Sequence, residues 1–130
     1  MQIRRQFSVF LVNRPGMLAG AAEALSGAGI NIQALSLADS GESGVLRLVC
    51  DLPDKAQQVL DAADVRWTET DVLMLDLPNE PGCFADLARR LAEANVNVSY
   101  AYATAAPPGA SSKAVFKVAD PTKAQQVLGQ

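Results

Sequence analysis

The sequence predicts an α+β fold: two ferredoxin-like βαββαβ modules in tandem, residues 1–70 and 71–130, with antiparallel sheets and the second module lacking its last strand in this chain. Three observations predict it. The stretch NRPGML at 13–18 returns as NEPGCF at 79–84, with Asn, Pro and Gly in the same spacing. The stretch KAQQVL stands at 55–60 and again, letter for letter, at 123–128. Between these anchors Leu25 matches Leu91, and Ile30-Asn31-Ile32 matches Val96-Asn97-Val98. The offset is 66 at the first anchor (79 − 13) and 68 at the last (123 − 55); the two extra residues fall in TAAPPGASSK, which is loop chemistry. A repeat that keeps both its loops and its apolar pattern is one supersecondary unit used twice.

Each element follows from local chemistry. FSVFLV (7–12) and DVLMLDL (71–77) are short, apolar and β-branched, and read as strands. Asn-x-Pro-Gly follows, and Pro suits the first turn of a helix because its missing N–H would have been unpaired there anyway. Leu18, Ala21, Ala22 and Leu25 then recur at helical spacing, as do Phe84, Leu87, Ala88 and Leu91. Gly29 and Asn95 occupy matched positions just past these helices, and they are the residue types that best tolerate a left-handed terminus. Strands are expected at about 30–38 and 96–104, then at 44–51 and 113–119. Pro53 and Pro121 open short helices that carry KAQQVL, and VRWTET (65–70) reads as the strand closing the first module.

Composition narrows the function. The chain has 130 residues, about half of them hydrophobic and 19% charged, enough to bury a core. A net charge of −3 argues against nucleic acid, which favours clustered Lys and Arg. No apolar run approaches the length of a membrane span and no signal peptide is legible, so a cytoplasmic protein is expected. There is no His, which removes the usual proton shuttle near neutral pH. Cys50 and Cys83 lie far apart, form no metal-binding pattern and read as small apolar residues. The loops match no phosphate-cradling motif. Asp39 and Glu42 fall in a turn, and Asp54 and Asp61 look like solvated helix positions, so no carboxylate pair suggests catalysis. No enzyme activity, cofactor or metal is expected.

The repeated loop has chemistry of its own. The first turn of a helix leaves backbone N–H groups unpaired, and the helix dipole places partial positive charge there. The N–H groups of Gly16, Met17 and Leu18 are thus placed to hold a carboxylate. The carboxamides of Asn13 and Asn31 both donate and accept, which suits a zwitterion. A plainer reading stands beside this one: Asn13 and Asn79 cap helices or shape turns, and Asn31 and Asn97 pair with backbone at a strand start. Tyr100, Tyr102 and Trp67 read as packing residues, and Arg4-Arg5 as a solvated strand start.

A ferredoxin-like unit with Asn-x-Pro-Gly after strand one, an apolar helix, and Gly29-Ile30-Asn31-Ile32 opening strand two resembles the ACT domain. That family comprises small regulatory modules on enzymes of amino-acid metabolism, many of which bind an amino acid. Two copies without a catalytic domain resemble the stand-alone tandem ACT proteins. The resemblance implies a non-catalytic regulatory or sensor protein that binds a small amino acid where modules meet, with an enzyme of amino-acid metabolism as a candidate partner. It maps Asn13, Arg14, Gly16, Met17, Leu18, Asn31 and Ile32 onto one ligand set, and Asn79, Gly82, Cys83, Phe84, Asn97 and Val98 onto the other. The alternative is an interaction module that pairs with itself or with an enzyme and holds no ligand.

Two further expectations follow from single residues. Strand one is apolar on both faces (Phe7, Val9 and Leu11 against Phe10 and Val12), as is its match (Leu73, Leu75 and Leu77 against Val72 and Met74). Helices cover one face of this fold, so the other should meet a second module or another chain, giving at least a homodimer. Arg14 in the first loop faces Glu80 in the second, so the first loop should be the stronger site for an anion.

Overall fold

In the computed structural model, residues 1–129 are described, Ser40 by its backbone alone; Gln130, at the end of the expected second module, lies outside them. The chain divides into two compact units. The N-terminal unit is Arg5–Thr70; the C-terminal unit is Met1–Arg4 together with Asp71–Gln130.

The N-terminal unit is built from β1 (Gln2–Val12), α1 (Met17–Gly27), β2 (Ile32–Ser40), β3 (Ser43–Cys50), α2 (Pro53–Ala62) and the first part of β4 (Arg66–Pro78). Its strand order is β2-β3-β1-β4, with β3 antiparallel to both neighbours. The register places Leu46 opposite Val9 on one side and Leu37 on the other. Because side chains alternate along a strand, Phe7, Val9, Leu11, Leu46 and Leu48 share one face, and there they pack with Ala21, Leu25, Ala56 and Leu60 of the two helices. The edge of the Trp67 ring meets Phe7 at 5.7 Å between centroids, and the indole N–H donates to Asp61 at 2.8 Å. Trp67 is therefore packing with a satisfied donor, and Asp61 has a partner besides water.

The C-terminal unit repeats the plan. It comprises the rest of β4, α3 (Cys83–Glu93), β5 (Val98–Ala103), β6 (Ser111–Val118) and α4 (Pro121–Leu128), with strand order β1-β4-β6-β5. Leu73, Leu75, Phe116 and Val118 pack against Leu87, Leu91 and Ala124. The repeat KAQQVL lies on α2 and α4, and its Ala56 and Ala124 are fully buried where the helix approaches the sheet. Gly29 and Asn95 adopt φ of 78° and 59°, the left-handed terminus expected of them.

Two strands differ from expectation. β1 begins at Gln2 rather than Phe7, and its opening residues group with the C-terminal unit, where β1 flanks β4. The segments 65–70 and 71–77, read as separate strands, run together in the single strand β4, which begins at Arg66 and leaves Val65 outside it. Neither Thr70 nor Asp71 breaks an extended backbone, and no Gly or Pro intervenes, so nothing local ends the strand between the two repeats.

The sheet face away from the helices differs between the two units. Val72 and Met74 lie there, yet they are buried within the chain, as is Val115 opposite Met74. By register the half-buried Tyr100 and Tyr102 share that face, Tyr102 opposite Val115. In the N-terminal unit Phe10 and Val12 remain exposed. Among the described residues no helix is long and apolar enough to cross a membrane.

Candidate functional site

The loop from β1 to α1 is a tight turn on glycine. Gly16 has φ 90° and ψ −15°, and its counterpart Gly82 has φ 88° and ψ −16°. A Cβ at either position would meet nothing within 4 Å. Glycine is thus required by the backbone conformation and not by crowding. Neither helix has a side-chain N-cap. The turn closes on itself: Arg14 N–H donates to Val12 C=O at 2.9 Å, and Met17 N–H to Arg14 C=O at 3.4 Å. In the second copy Glu80 and Cys83 repeat these bonds at 3.0 and 3.3 Å. Among the described hydrogen bonds outside regular elements, none takes up the N–H of Gly16 or Leu18, as the physics of a helix start requires.

Asn13 and Asn79 share one structural job. The Asn13 carboxamide donates to Gly41 C=O at 3.2 Å and to Asp39 Oδ1 at 3.5 Å, while its backbone N–H donates to Glu42 C=O at 2.9 Å. The Asn79 carboxamide donates to Ala106 C=O at 2.9 Å, and its N–H to Ala110 C=O at 2.7 Å. Each Asn ties the strand-to-helix loop to the hairpin that follows the second strand of its copy. This is turn shaping of the plainer kind, and it also builds a cavity, because the loop, the helix start and the hairpin now share one mouth.

The N-terminal cavity is about 210 Å³, lined by Leu11, Val12, Asn13, Arg14, Met17, Leu18, Leu37, Ala38, Asp39 and Gly44. The C-terminal cavity is about 430 Å³ and has Leu77, Pro78, Asn79, Glu80, Phe84, Ala103, Thr104, Ala105, Ala106 and Ser112 in its wall. The two walls correspond nearly position for position. Gly44 pairs with Leu11 across β3 and β1 as Ser112 pairs with Leu77 across β6 and β4. The chemistry differs at seven matched places: Arg14 becomes Glu80, Asp39 becomes Ala105, Leu18 becomes Phe84, Leu37 becomes Ala103, Ala38 becomes Thr104, Gly44 becomes Ser112 and Val12 becomes Pro78. Asp39 has no signal in its own neighbourhood, where it looks like a turn residue. It emerges only when the hairpin folds back against Asn13.

The other expected residues lie elsewhere. Asn31 stands at the opposite end of β2 from Asp39, roughly 26 Å along an eight-residue span at ~3.3 Å per residue. Its backbone N–H donates to Asp51 Oδ1 at 2.9 Å. Ile32 and Val98 pack partly buried against their cores. Asn97 lines a separate cavity of about 380 Å³ with Ala88 and Ala92. Cys83 is half-buried and lines a third cavity, about 410 Å³, with Asp86, Arg90 and Leu128; Cys50 is fully buried. Within one unit, then, the loop and the start of the second strand do not meet.

Two of the surface cations outside the loop cavities, Arg5 and Lys113, are held in ion pairs. Arg5 pairs with Asp54 at 2.6 Å, and that hydrogen bond raises its pKa. Lys113 donates to Asp76 at 2.6 Å and holds that carboxyl below its usual range. Among the described residues no group of three His, Cys, Asp or Glu is placed to hold a metal ion.

Comparison with known proteins decides the family. The family model described as an ACT domain pair matches residues 1–129. This chain is an ACT domain pair. Protein BT0572 from Bacteroides thetaiotaomicron has a similar crystal structure, with TM-score 0.90, 31% identity, and coverage of 98% of this chain and 87% of that one. The ligand-free regulatory subunit of aspartate kinase from Thermus thermophilus is similar in fold, with TM-score 0.72, 13% identity, and coverage of 97% and 89%. The corresponding subunit from Thermus flavus matches at TM-score 0.64 and 13% identity, covering 99% and 93%. A comparison with curated protein sequences gives no match. The repeat NxPG…KAQQVL lies twice within the span that matches the ACT domain pair, and its loops form the mouths of two related cavities.

Proposed function

We propose that this ACT pair is a non-catalytic regulatory protein that binds a small amino acid at the cavity beside its Asn-x-Pro-Gly loop. The observation that carries the reading is the cavity built by Asn13. It gathers a helix start with unclaimed N–H groups, a cation (Arg14), an anion (Asp39) and an apolar wall in one mouth. Such a set complements a carboxylate, an ammonium and a small side chain. Its volume is about that of seven waters at ~30 Å³ each, the scale of a small amino acid rather than of a nucleotide. Regulation follows from what binding does: a ligand seated between loop and hairpin favours whichever arrangement of those elements it contacts best. An enzyme of amino-acid metabolism is the partner class this reading favours, and a cytoplasmic location is consistent with such a partner.

The reading includes self-association. Leu35 and Leu37 are about half exposed on β2, an outer strand with a neighbour on one side only. Leu18, Phe10 and Val12 add exposed apolar surface in the same unit. An edge strand with exposed leucines pairs readily with another chain, and a homodimer covers it. The test of the function is a screen of the twenty amino acids by thermal shift and calorimetry on the whole chain. At least one should bind with Kd between micromolar and millimolar, roughly −4 to −8 kcal/mol. A blank screen would leave the ligand-free interaction module as the better reading.

A further inference from the structure

The geometry points to the two cavities being unequal receptors: the N-terminal one takes an α-amino acid with an uncharged aliphatic side chain, using Asp39 as the acceptor for its ammonium, and the C-terminal one does not bind it. This inference rests on the proposed function and adds the ligand class, the specificity residue and a stoichiometry of one ligand per chain.

The comparison of walls carries it. In the N-terminal cavity one cation and one anion, Arg14 and Asp39, face the same mouth. Among the described residues neither takes part in an ion pair, so they do not neutralise each other across the cavity. Asp39 Oδ1 is oriented by the N–H of Gly41 at 3.0 Å and by Asn13 at 3.5 Å, which sets the carboxylate plane. An α-amino acid carries one charge of each sign on adjacent atoms. Its carboxylate is served by Arg14 and the start of α1, and its ammonium by Asp39.

With both charges used by the ligand's main chain and the Asn13 amide N–H donating to Gly41 C=O and Asp39, the rest of the wall is mostly apolar. Leu11, Met17, Leu18 and Leu37 offer no partner to a charged side chain. Leu18 and Leu37 are about half exposed, so an aliphatic side chain gains apolar contact in this open mouth that a charged one does not, and aliphatic side chains are favoured. The C-terminal cavity lacks this complement. Glu80 repels a carboxylate where Arg14 attracts one, Ala105 leaves the ammonium without a carboxylate, and the two hydroxyls in this wall, Thr104 and Ser112, are already bonded to the Lys113 and Leu77 backbone. Phe84 and Ala103 also reshape the apolar wall, and the cavity is about twice as large, 430 against 210 Å³. The same backbone loop in both copies therefore presents a matched charge pair in one and a lone anion in the other.

The test is calorimetric titration of the whole chain with leucine, valine, isoleucine and alanine, and with 2-hydroxy-4-methylpentanoate, which replaces the ammonium of leucine by a hydroxyl. The expected result is one site per chain, and at least tenfold weaker binding of the hydroxy acid, about 1.4 kcal/mol. Asp39→Asn keeps the Oδ1 acceptor that orders the turn and removes only the charge. It should weaken the amino acid at least tenfold and leave the hydroxy acid within about twofold. The double variant Glu80→Arg with Ala105→Asp should raise the stoichiometry toward two. Melting curves of the unliganded variants identify any that fail to fold, and the hydroxy-acid comparison on the unaltered protein needs no variant. Failure of all twenty amino acids to bind would overturn the proposed function itself. Binding at two equal sites, binding confined to charged amino acids, or binding indifferent to Asp39→Asn would overturn this inference and leave that function standing.

Discussion

Replacing Gly16 by Ala isolates the conformation of the loop from everything it touches. Gly16 sits at φ 90° and ψ −15°, where an L side chain is strained, and a Cβ there meets no atom within 4 Å. The cost is then backbone strain alone, about 1–2 kcal/mol. Gly82, at φ 88° and ψ −16° and equally uncrowded, should cost the same to within about 0.5 kcal/mol. Gly20 provides the control. It lies inside α1, also with open space around it, and there Ala is favoured over Gly by roughly 0.5–1 kcal/mol. The same chemical change should thus destabilise at two positions and stabilise at the third. With urea m-values of about 1–3 kcal/mol per molar, the first two should lower the midpoint by roughly 0.3–2 M and the third raise it. A midpoint for Gly16→Ala or Gly82→Ala equal to that of the unaltered protein would refute the claim that these glycines serve the left-handed turn.

Three other outcomes are expected. Asn13→Ala should weaken amino-acid binding more than Asn79→Ala, since Asn13 also steadies Asp39; calorimetry on the pair reads the ranking, and the reverse order would contradict it. Asp76 should titrate below the ordinary aspartate range because Lys113 donates to its ionised form, so the small stability it lends is present at and above that range and fades as pH falls through the lowered pKa; carboxyl NMR on Lys113→Gln should show the pKa returning upward. Light scattering should return at least twice the single-chain mass, and a single-chain mass across a wide concentration range would rule out the homodimer.

The sequence made the repeat, the helices and the loop legible because their signals are local. Pro15 and Pro81 follow a strand, leucines recur at helical spacing, and Gly29 and Asn95 mark the left-handed ends. What escaped it depends on pairing between distant residues. That 66–70 and 71–77 form one strand follows from neighbours supplied by β1 and β6, which no local pattern announces. In the site, the sequence reading singled out Asn13, Arg14, Met17 and Leu18, which the fold does gather. It passed over Asp39, which is 26 residues from Asn13 along the chain and comes into reach only through the turn of the β2–β3 hairpin. Aligning the two copies beyond Asn31 would have exposed it, because Asp39 falls opposite Ala105 at the same offset of 66 (105 − 39) that relates Arg14 to Glu80.

The measurement that bears most directly on the account is a titration of the whole chain with the aliphatic amino acids by calorimetry, at ligand concentrations reaching several millimolar. The account expects saturable heat with at least one of them, fitted by one site per chain and a Kd between micromolar and millimolar. No heat with any of the aliphatic amino acids, together with no melting shift across all twenty, would contradict it.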